Sequence, residues 1–168
     1  GLITQPKPNG KYNEPITDTA WRCRPKGVIA MTDGEPNTSV SSSNAAYQLY
    51  LQNVKVYSVA YAQNSDNLRP STDIDSNSVA SVMSKIAWKG GTCREFGHTG
   101  EVIHPTDEDG YKKYLNNVNN KPAEYQTCFY NAYSGIALRS AMQSIMNELL
   151  QGYTSKSKMV TTTAVGKK

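Results

Sequence analysis

The spacing of apolar residues predicts two strands joined by a helix in the first third of the 168-residue chain. Val28 to Met31 is a continuous apolar run that stops at Thr-Asp-Gly, a pattern typical of a strand buried on both faces. Val54 to Ala62 is a second run, rich in β-branched and aromatic residues. Between the two runs, one helical face carries Ala45, Ala46, Leu49 and Tyr50. A strand, a helix and a strand with short joints predict a βαβ unit with parallel strands.

A second helix is predicted from Asn77 to Lys89, where apolar residues recur along one stripe. Asp75 or Ser76 offers the side chain for its N-cap, and the pair Gly90-Gly91 predicts its end. Asp73 and Asp75 could also bind calcium, but no glycine and no bidentate glutamate follow at the spacing of a calcium loop. Capping is therefore the preferred interpretation of these aspartates.

Three further elements are predicted near the end of the chain. Phe129 to Ala132 predicts a short third strand. Ile136 to Leu150 has apolar residues at spacings of three and four, which predicts a long helix ended by Gly152. Met159 to Val165 has the pattern of a strand, so residues 154–168 are interpreted as an exit strand or a linker to a following domain.

The segment from residue 92 to residue 128 interrupts this rhythm, because it is rich in glycine, proline and acidic residues. It lies between Cys93 and Cys128, which have 34 residues between them. We interpret it as an insertion closed at its base by a Cys93–Cys128 disulfide, which would stabilise the fold by roughly 3–4 kcal/mol. A short helix is predicted inside it, from Asp109 to Asn116. The insertion either forms a contact surface or only covers an edge of the domain.

The chain has three cysteines and two histidines, and their spacing argues against a zinc site. No two cysteines have C-x-x-C spacing, and His98 and His104 are not placed to complete four ligands. An odd number of cysteines favours one internal disulfide and a third cysteine, Cys23, bonded elsewhere. Three reduced thiols in a cytosolic protein are the alternative.

Composition and charge exclude two broad functions. The formal net charge is +4, but the basic residues are scattered and do not alternate with aromatic residues as in a nucleic-acid stacking groove. Nucleic acid is therefore not an expected partner. No apolar run approaches the roughly 18 residues that a membrane span needs, so no span is expected. The length is that of one domain with a substantial core.

Asp33 is the candidate functional residue, because it follows the first predicted strand directly. Open α/β sheets bind ligands at the carboxyl ends of their strands. An ionised aspartate there requires a cation, an arginine or several N–H donors to offset its desolvation. The same residues, Asp-Gly followed by Pro-Asn, also fit an ordinary turn. From these residues alone, a metal ligand and a turn are equally supported.

The order of these landmarks resembles that of von Willebrand factor type A (vWA) domains. The run Val28-Ile29-Ala30-Met31-Thr32-Asp33-Gly34-Glu35-Pro36-Asn37 is similar to their central T-D-G strand. The next strand and the closing helix of that family look like Val54 to Ala62 and Ile136 to Leu150. Further landmarks shared with the family are Ile86-Ala87, Gly90-Gly91 and Phe129-Tyr130-Asn131-Ala132.

The resemblance implies an α/β fold that is a partial doubly wound, Rossmann-like vWA domain, with a mainly parallel sheet flanked by helices. Residues 1–26 are then an extended lead-in. Residues 27–153 are the carboxyl-terminal part of the vWA domain, with the disulfide-closed insertion at 92–128. The amino-terminal part of the domain is expected on an upstream segment.

The vWA resemblance also implies that Asp33 is one ligand of a metal-ion-dependent adhesion site, with Thr32, Gly34 and Glu35 close to the bound ligand. That site takes further oxygens from a D-x-S-x-S motif, which this chain does not contain. Mg²⁺ prefers nearly octahedral oxygen coordination. We therefore expect Mg²⁺ or another divalent cation to bind only when upstream residues complete the site.

The lead-in points to a subfamily. Pro15-Ile16-Thr17-Asp18-Thr19 and Cys23-Arg24-Pro25-Lys26, just ahead of the T-D-G strand, resemble type IV pilus tip adhesins of the PilC/PilY type, with TadG-type pilus-assembly proteins next. This implies a non-enzymatic adhesion or pilus-biogenesis module, exported through the periplasm to the cell surface or pilus tip. Its expected partners are the missing part of the vWA domain, the pilus tip or minor pilins, and a host or surface ligand. Cys23 is expected to bond to a cysteine outside this chain.

Two other functions are weighed against adhesion. A purely structural role in a pilus tip or priming complex fits the same residues. A metal-dependent phosphoryl-transfer enzyme fits them less well, because the second predicted strand ends in Ala60-Tyr61-Ala62-Gln63 without a carboxylate or a lysine. No glycine-rich phosphate loop is present, and neither histidine lies in a nucleophile pattern.

Overall fold

A computed structural model describes residues 25–33, 39–61 and 68–165, of which residues 39–40 and 152–165 are described by their backbone alone. The predicted lead-in up to residue 24, including Cys23, lies outside the described residues, as do Gly34 and Glu35. The elements in chain order are β1 (Lys26–Thr32), α1 (Ser39–Leu51), β2 (Val54–Tyr61), α2 (Val79–Lys89), α3 (Glu108–Asn120), β3 (Tyr130–Ala132) and α4 (Gly135–Val165).

The three strands form one parallel sheet in the order β1-β2-β3. The register of β1 on β2 runs from Lys26 opposite Val54 to Thr32 opposite Ala60. The predicted βαβ unit and the predicted third strand are confirmed, and the chain has an α/β arrangement of a parallel sheet flanked by helices. All three strands end at the same edge of the sheet, so the residues that follow the strands lie along that edge.

The central strand β2 is buried on both faces. Its side chains alternate, with Val56 and Ala60 packed in one cluster beneath α1 and α2. Tyr57 and Val59 lie in a second cluster, with Ile145 of α4. The alternation follows from the two-residue period of a strand. Helices therefore cover the sheet on both sides of β2.

The first strand differs from the prediction, because β1 is not buried on both faces. It is an edge strand, and the exposed fractions of Val28, Ile29 and Met31 are 40%, 37% and 47%. An apolar run shows that its side chains are stabilised by burial, but it does not show which other elements bury them. Among the described strands, β1 pairs with β2 alone.

The predicted insertion folds around a buried cluster that it shares with the end of α2. Cys93 and Cys128 form the predicted disulfide, with their Cα atoms 4.8 Å apart. Its helix α3 is longer than the predicted 109–116, and it carries Tyr111 and Tyr114 into a cluster with Trp88 at the end of α2. This third cluster makes the insertion continuous with the rest of the fold.

The N-cap of α2 is Ser78, so the prediction of Asp75 or Ser76 was wrong. The Ser78 hydroxyl accepts the N–H of Ser81 at 3.3 Å. Asp73 uses its carboxylate in a local turn, where it accepts the N–H of Asp75 at 3.0 Å. Asp75, Ser76 and Ser78 are all residue types that favour the N-cap position, so the local sequence does not identify which of them begins α2.

The last helix also differs from the prediction. α4 continues through Gly152 to Val165, so the strand predicted at Met159 to Val165 was wrong. A glycine inside a helix costs only about 1 kcal/mol relative to alanine. A helix pairs its backbone groups locally, whereas a strand needs a neighbour. Among the described helices, none is long and apolar enough to cross a membrane.

Candidate functional site at the open edge of the sheet

Asp33 lies at the carboxyl end of β1, as predicted, and its side chain is exposed. β1 pairs with β2 up to Thr32, so Asp33 is the first residue beyond the ladder. Thr32 is half-buried beside it. The structure thus brings together two of the four predicted site residues, and the other two lie outside the described part of the chain.

These residues do not by themselves make a metal site. Within the described ranges, no three histidine, cysteine, aspartate or glutamate side chains are grouped closely enough to hold a metal ion. Thr32 and Asp33 offer one hydroxyl and one carboxylate, and Mg²⁺ usually keeps several waters in addition to one or two carboxylates. The donor set described at this edge is therefore insufficient for a resident ion.

The face of β1 that points toward α1 and α2 borders an apolar cavity of about 430 Å³. The strand contributes Val28 and Ala30 to its lining, and α2 contributes Val82, Met83 and Ile86. Val82, Met83 and Ile86 belong to the buried cluster beneath the helices. Within residues 25–33, 39–61 and 68–165, the core is therefore open on the β1 side.

The opposite face of β1 is also incompletely covered. Gly27 lies so close to Leu149 of α4 that an added Cβ would be 2.9 Å from its Cδ1 atom. The side chains of Ile29 and Met31 remain partly exposed, and so does Met146, one turn before Leu149. Apolar surface is therefore open on both faces of the same edge strand.

A polar cluster joins α4 to the sheet and to the insertion. The Glu148 carboxylate accepts hydrogen bonds from Lys55 Nζ at 3.1 Å and from Arg94 Nη2 at 3.4 Å. Burial raises the pKa of Tyr57, and the neighbouring Glu148 charge adds to that effect. Burial, again with Glu148, raises the pKa of Tyr130 to about 12. These phenols stay protonated near neutral pH, and the cluster links α4 to β2 and to the insertion.

Sequence reasoning missed this cluster. Arg94 and Glu148 are far apart in sequence, and nothing local indicates that they meet. One signal was present: Glu148 falls between Ile145 and Leu149 on the stripe of α4 that packs on the sheet, where a carboxylate requires a cationic partner. The pairing itself depends on how the insertion folds back.

No protein-family model, no curated protein and no solved structure matches this chain.

Proposed function

We propose that this chain is the carboxyl-terminal part of a vWA-type binding module, which acts without catalysis in adhesion or pilus biogenesis at a bacterial cell surface. The observation that carries the proposal concerns β1, an edge strand among the described strands, which is followed directly by Asp33 and exposes apolar side chains on both faces. Natural proteins protect such edges with charges, prolines or bulges. β1 has only Lys26 at its start as a charged residue.

A further strand, from an amino-terminal part of the same domain, would complete the sheet. It would extend the sheet beyond β1 and cover Val28, Ile29 and Met31. Burying the exposed parts of these three side chains would contribute about 2–4 kcal/mol. A parallel strand would end beside Asp33, because the carboxyl ends of parallel strands lie at one edge.

The same strand would supply the oxygens that the described site lacks. A D-x-S-x-S motif at its end would add a second carboxylate and hydroxyl groups next to Asp33. The cation would then be held at the surface with positions open for an acidic group of a ligand. Metal-assisted adhesion follows only from the completed site.

The resemblance of the lead-in supports a type IV pilus tip as the setting of this module. A chain exported through the periplasm meets an oxidising environment, in which disulfides form and persist. The Cys93–Cys128 disulfide is compatible with that route.

The test compares two substitutions in the intact surface protein, Asp33→Asn and Asp73→Asn. Both remove one charge, but Asp73 lies in a surface turn before α2, where an asparagine oxygen can still accept the N–H of Asp75. We expect Asp33→Asn to abolish Mg²⁺ binding by calorimetry and Mg²⁺-dependent adhesion, and Asp73→Asn to leave both unchanged.

Two outcomes would contradict the proposal. The module would be a structural scaffold if Asp33→Asn left adhesion unchanged while substitutions that block strand pairing at β1 prevented pilus assembly. Magnesium-dependent phosphatase activity that is lost in Asp33→Asn would indicate a phosphoryl-transfer enzyme.

A further inference from the structure

The insertion contains a cavity of about 360 Å³ between its first turns and α3. That volume lies near the lower end of the range of about 300–1,000 Å³ for ligand pockets, which suits one side chain better than a large molecule. None of its lining residues belongs to β1. The cavity is therefore a different feature from the sheet edge that ends in Asp33.

One wall of the cavity is aromatic and apolar. Phe96 stacks on Tyr125 with ring centroids 5.0 Å apart, and both rings line the cavity. Phe96 and Val102 are exposed by 40% and 42%, although both are apolar. Such surface favours contact with an apolar chain, and an aromatic face also attracts cations.

Glu95 and Glu101 lie opposite each other in the backbone register and both line the cavity. Arg94 pairs with Val102 in an antiparallel bridge, which places Glu95 directly opposite Glu101. The Glu95 N–H donates to the Glu101 carbonyl oxygen at 3.0 Å, as expected for that register. Directly opposed residues project to the same face, and like charges in that position destabilise the pair.

Among the described residues, no lysine or arginine forms an ion pair with Glu95 or Glu101. The lysine and arginine side chains in the described part of the chain form their ion pairs with Glu148, Asp75 and Glu108. Lys113 lines the same cavity but forms none of these pairs. Asp107, also in the lining, uses Oδ1 to accept the N–H of Gly110 at the start of α3. Glu95 and Glu101 are therefore available to an external cation.

We propose that this cavity binds a lysine side chain of a partner polypeptide. The aliphatic stem lies against Phe96 and Val102, and the ammonium lies between Glu95 and Glu101. A primary ammonium has three N–H donors, which two carboxylates can accept together. A quaternary ammonium has none and is recognised by aromatic cages, so the opposed carboxylates favour lysine.

The test uses Nα-acetyl-lysine methylamide as the probe and the norleucine analogue as its uncharged counterpart. Binding to the full chain is followed by NMR from the amides of Gly100, Gly110 and Tyr125. We expect saturable shifts with the lysine probe and at least tenfold weaker binding of the norleucine analogue. The affinity falls as salt is raised, because the carboxylates are near solvent.

Three substitutions distinguish binding in the cavity from general electrostatic attraction of the lysine probe to the protein surface. Glu101→Gln weakens binding of the lysine probe at least about fivefold, and it raises the Tm of the unliganded chain because the opposed charges are relieved. Lys113→Gln strengthens binding, since it removes a like charge from the cavity. Glu124→Gln, an equal charge change at an exposed position outside the cavity, leaves binding within twofold.

Each of the following results would overturn the proposal. The norleucine analogue could bind as tightly as the lysine probe, which would indicate an apolar pocket. Choline or the arginine analogue could bind more tightly than lysine, which would assign a different ligand. Glu124→Gln could weaken binding as much as Glu101→Gln, which would indicate attraction to the surface as a whole.

Discussion

The indole of Trp88 and the phenol ring of Tyr111 lie stacked, with centroids 4.2 Å apart and 5° between their planes. Trp88 is near the end of α2, and Tyr111 is in α3 of the insertion. The Trp88 N–H donates to the carbonyl oxygen of His104 at 2.9 Å, so the buried indole has no unpaired donor. This pair joins the insertion to the domain core, and the two are expected to unfold together.

The Trp88–Tyr111 stack is expected to show energetic coupling. Trp88→Leu and Tyr111→Leu each destabilise the chain, and the double variant is less destabilised than their sum by about 0.5–1.5 kcal/mol. The measurement is a double-mutant cycle from urea unfolding. Trp88→Leu with Tyr130→Leu, which lies in another cluster, serves as the additive control. Additivity of the stacked pair within about 0.3 kcal/mol would contradict this account.

Opening the Cys93–Cys128 disulfide is expected to destabilise the whole chain. The bond closes a loop with a sequence separation of 35 residues, for which loop-closure entropy gives about 3–4 kcal/mol. The double substitution of Cys93 and Cys128 by serine should lower the free energy of unfolding by that amount. Cys23→Ser is the control for loss of a cysteine. A loss confined to the insertion, with α1 and β2 unaffected, would disprove a shared core.

Gly90 is expected to tolerate no side chain. An added Cβ would overlap the Val56 side chain and lie 2.7 Å from the Val56 carbonyl oxygen. Gly90→Ala should therefore destabilise the chain by about 1–3 kcal/mol. Gly135→Ala, at the start of α4 with nothing within 4 Å of the added atom, should be neutral or stabilise by up to about 1 kcal/mol. Thermal unfolding of both variants tests the contrast, and equal effects would contradict it.

His98 should make the chain less stable in mild acid. Burial lowers the pKa of His98 below its ordinary 6.5, although the Glu148 charge and a hydrogen bond to Phe129 partly oppose this. Below about pH 6.5 the unfolded chain takes up a proton that the folded chain resists, so stability falls as pH drops through that value. Stability measured between pH 7.5 and 5 should fall less steeply in His98→Asn. A steeper fall in His98→Asn would contradict the assignment.

Local patterns predicted most of the elements but not their surroundings. The β-branched run of β2 and the 3–4 spacing of α4 identify a strand and a helix, because each element has its own period. The exposure of Ile29 in β1 depends on a neighbour, and no pattern within β1 reports whether that neighbour is present.

The candidate site was predictable only in part. The position of Asp33 follows from the end of an apolar run. The pairing of Glu148 with Arg94 and the opposition of Glu95 to Glu101 both arise when the insertion folds. Long-range contacts of this kind leave no periodic signal. The disulfide was predictable because three cysteines allow few pairings and two of them bracket the insertion.

The central claim is that the open edge of β1 is completed by another strand. Every second residue of a parallel strand directs its N–H away from a given neighbour, so in the isolated chain those β1 amides should exchange rapidly with solvent deuterium. The decisive measurement is amide hydrogen exchange of the outward-facing amides in Val28–Met31, compared between residues 1–168 and the intact surface protein. We predict that these amides become protected at least about 100-fold in the intact protein, as expected for a central strand. Equally rapid exchange in both forms would contradict the account.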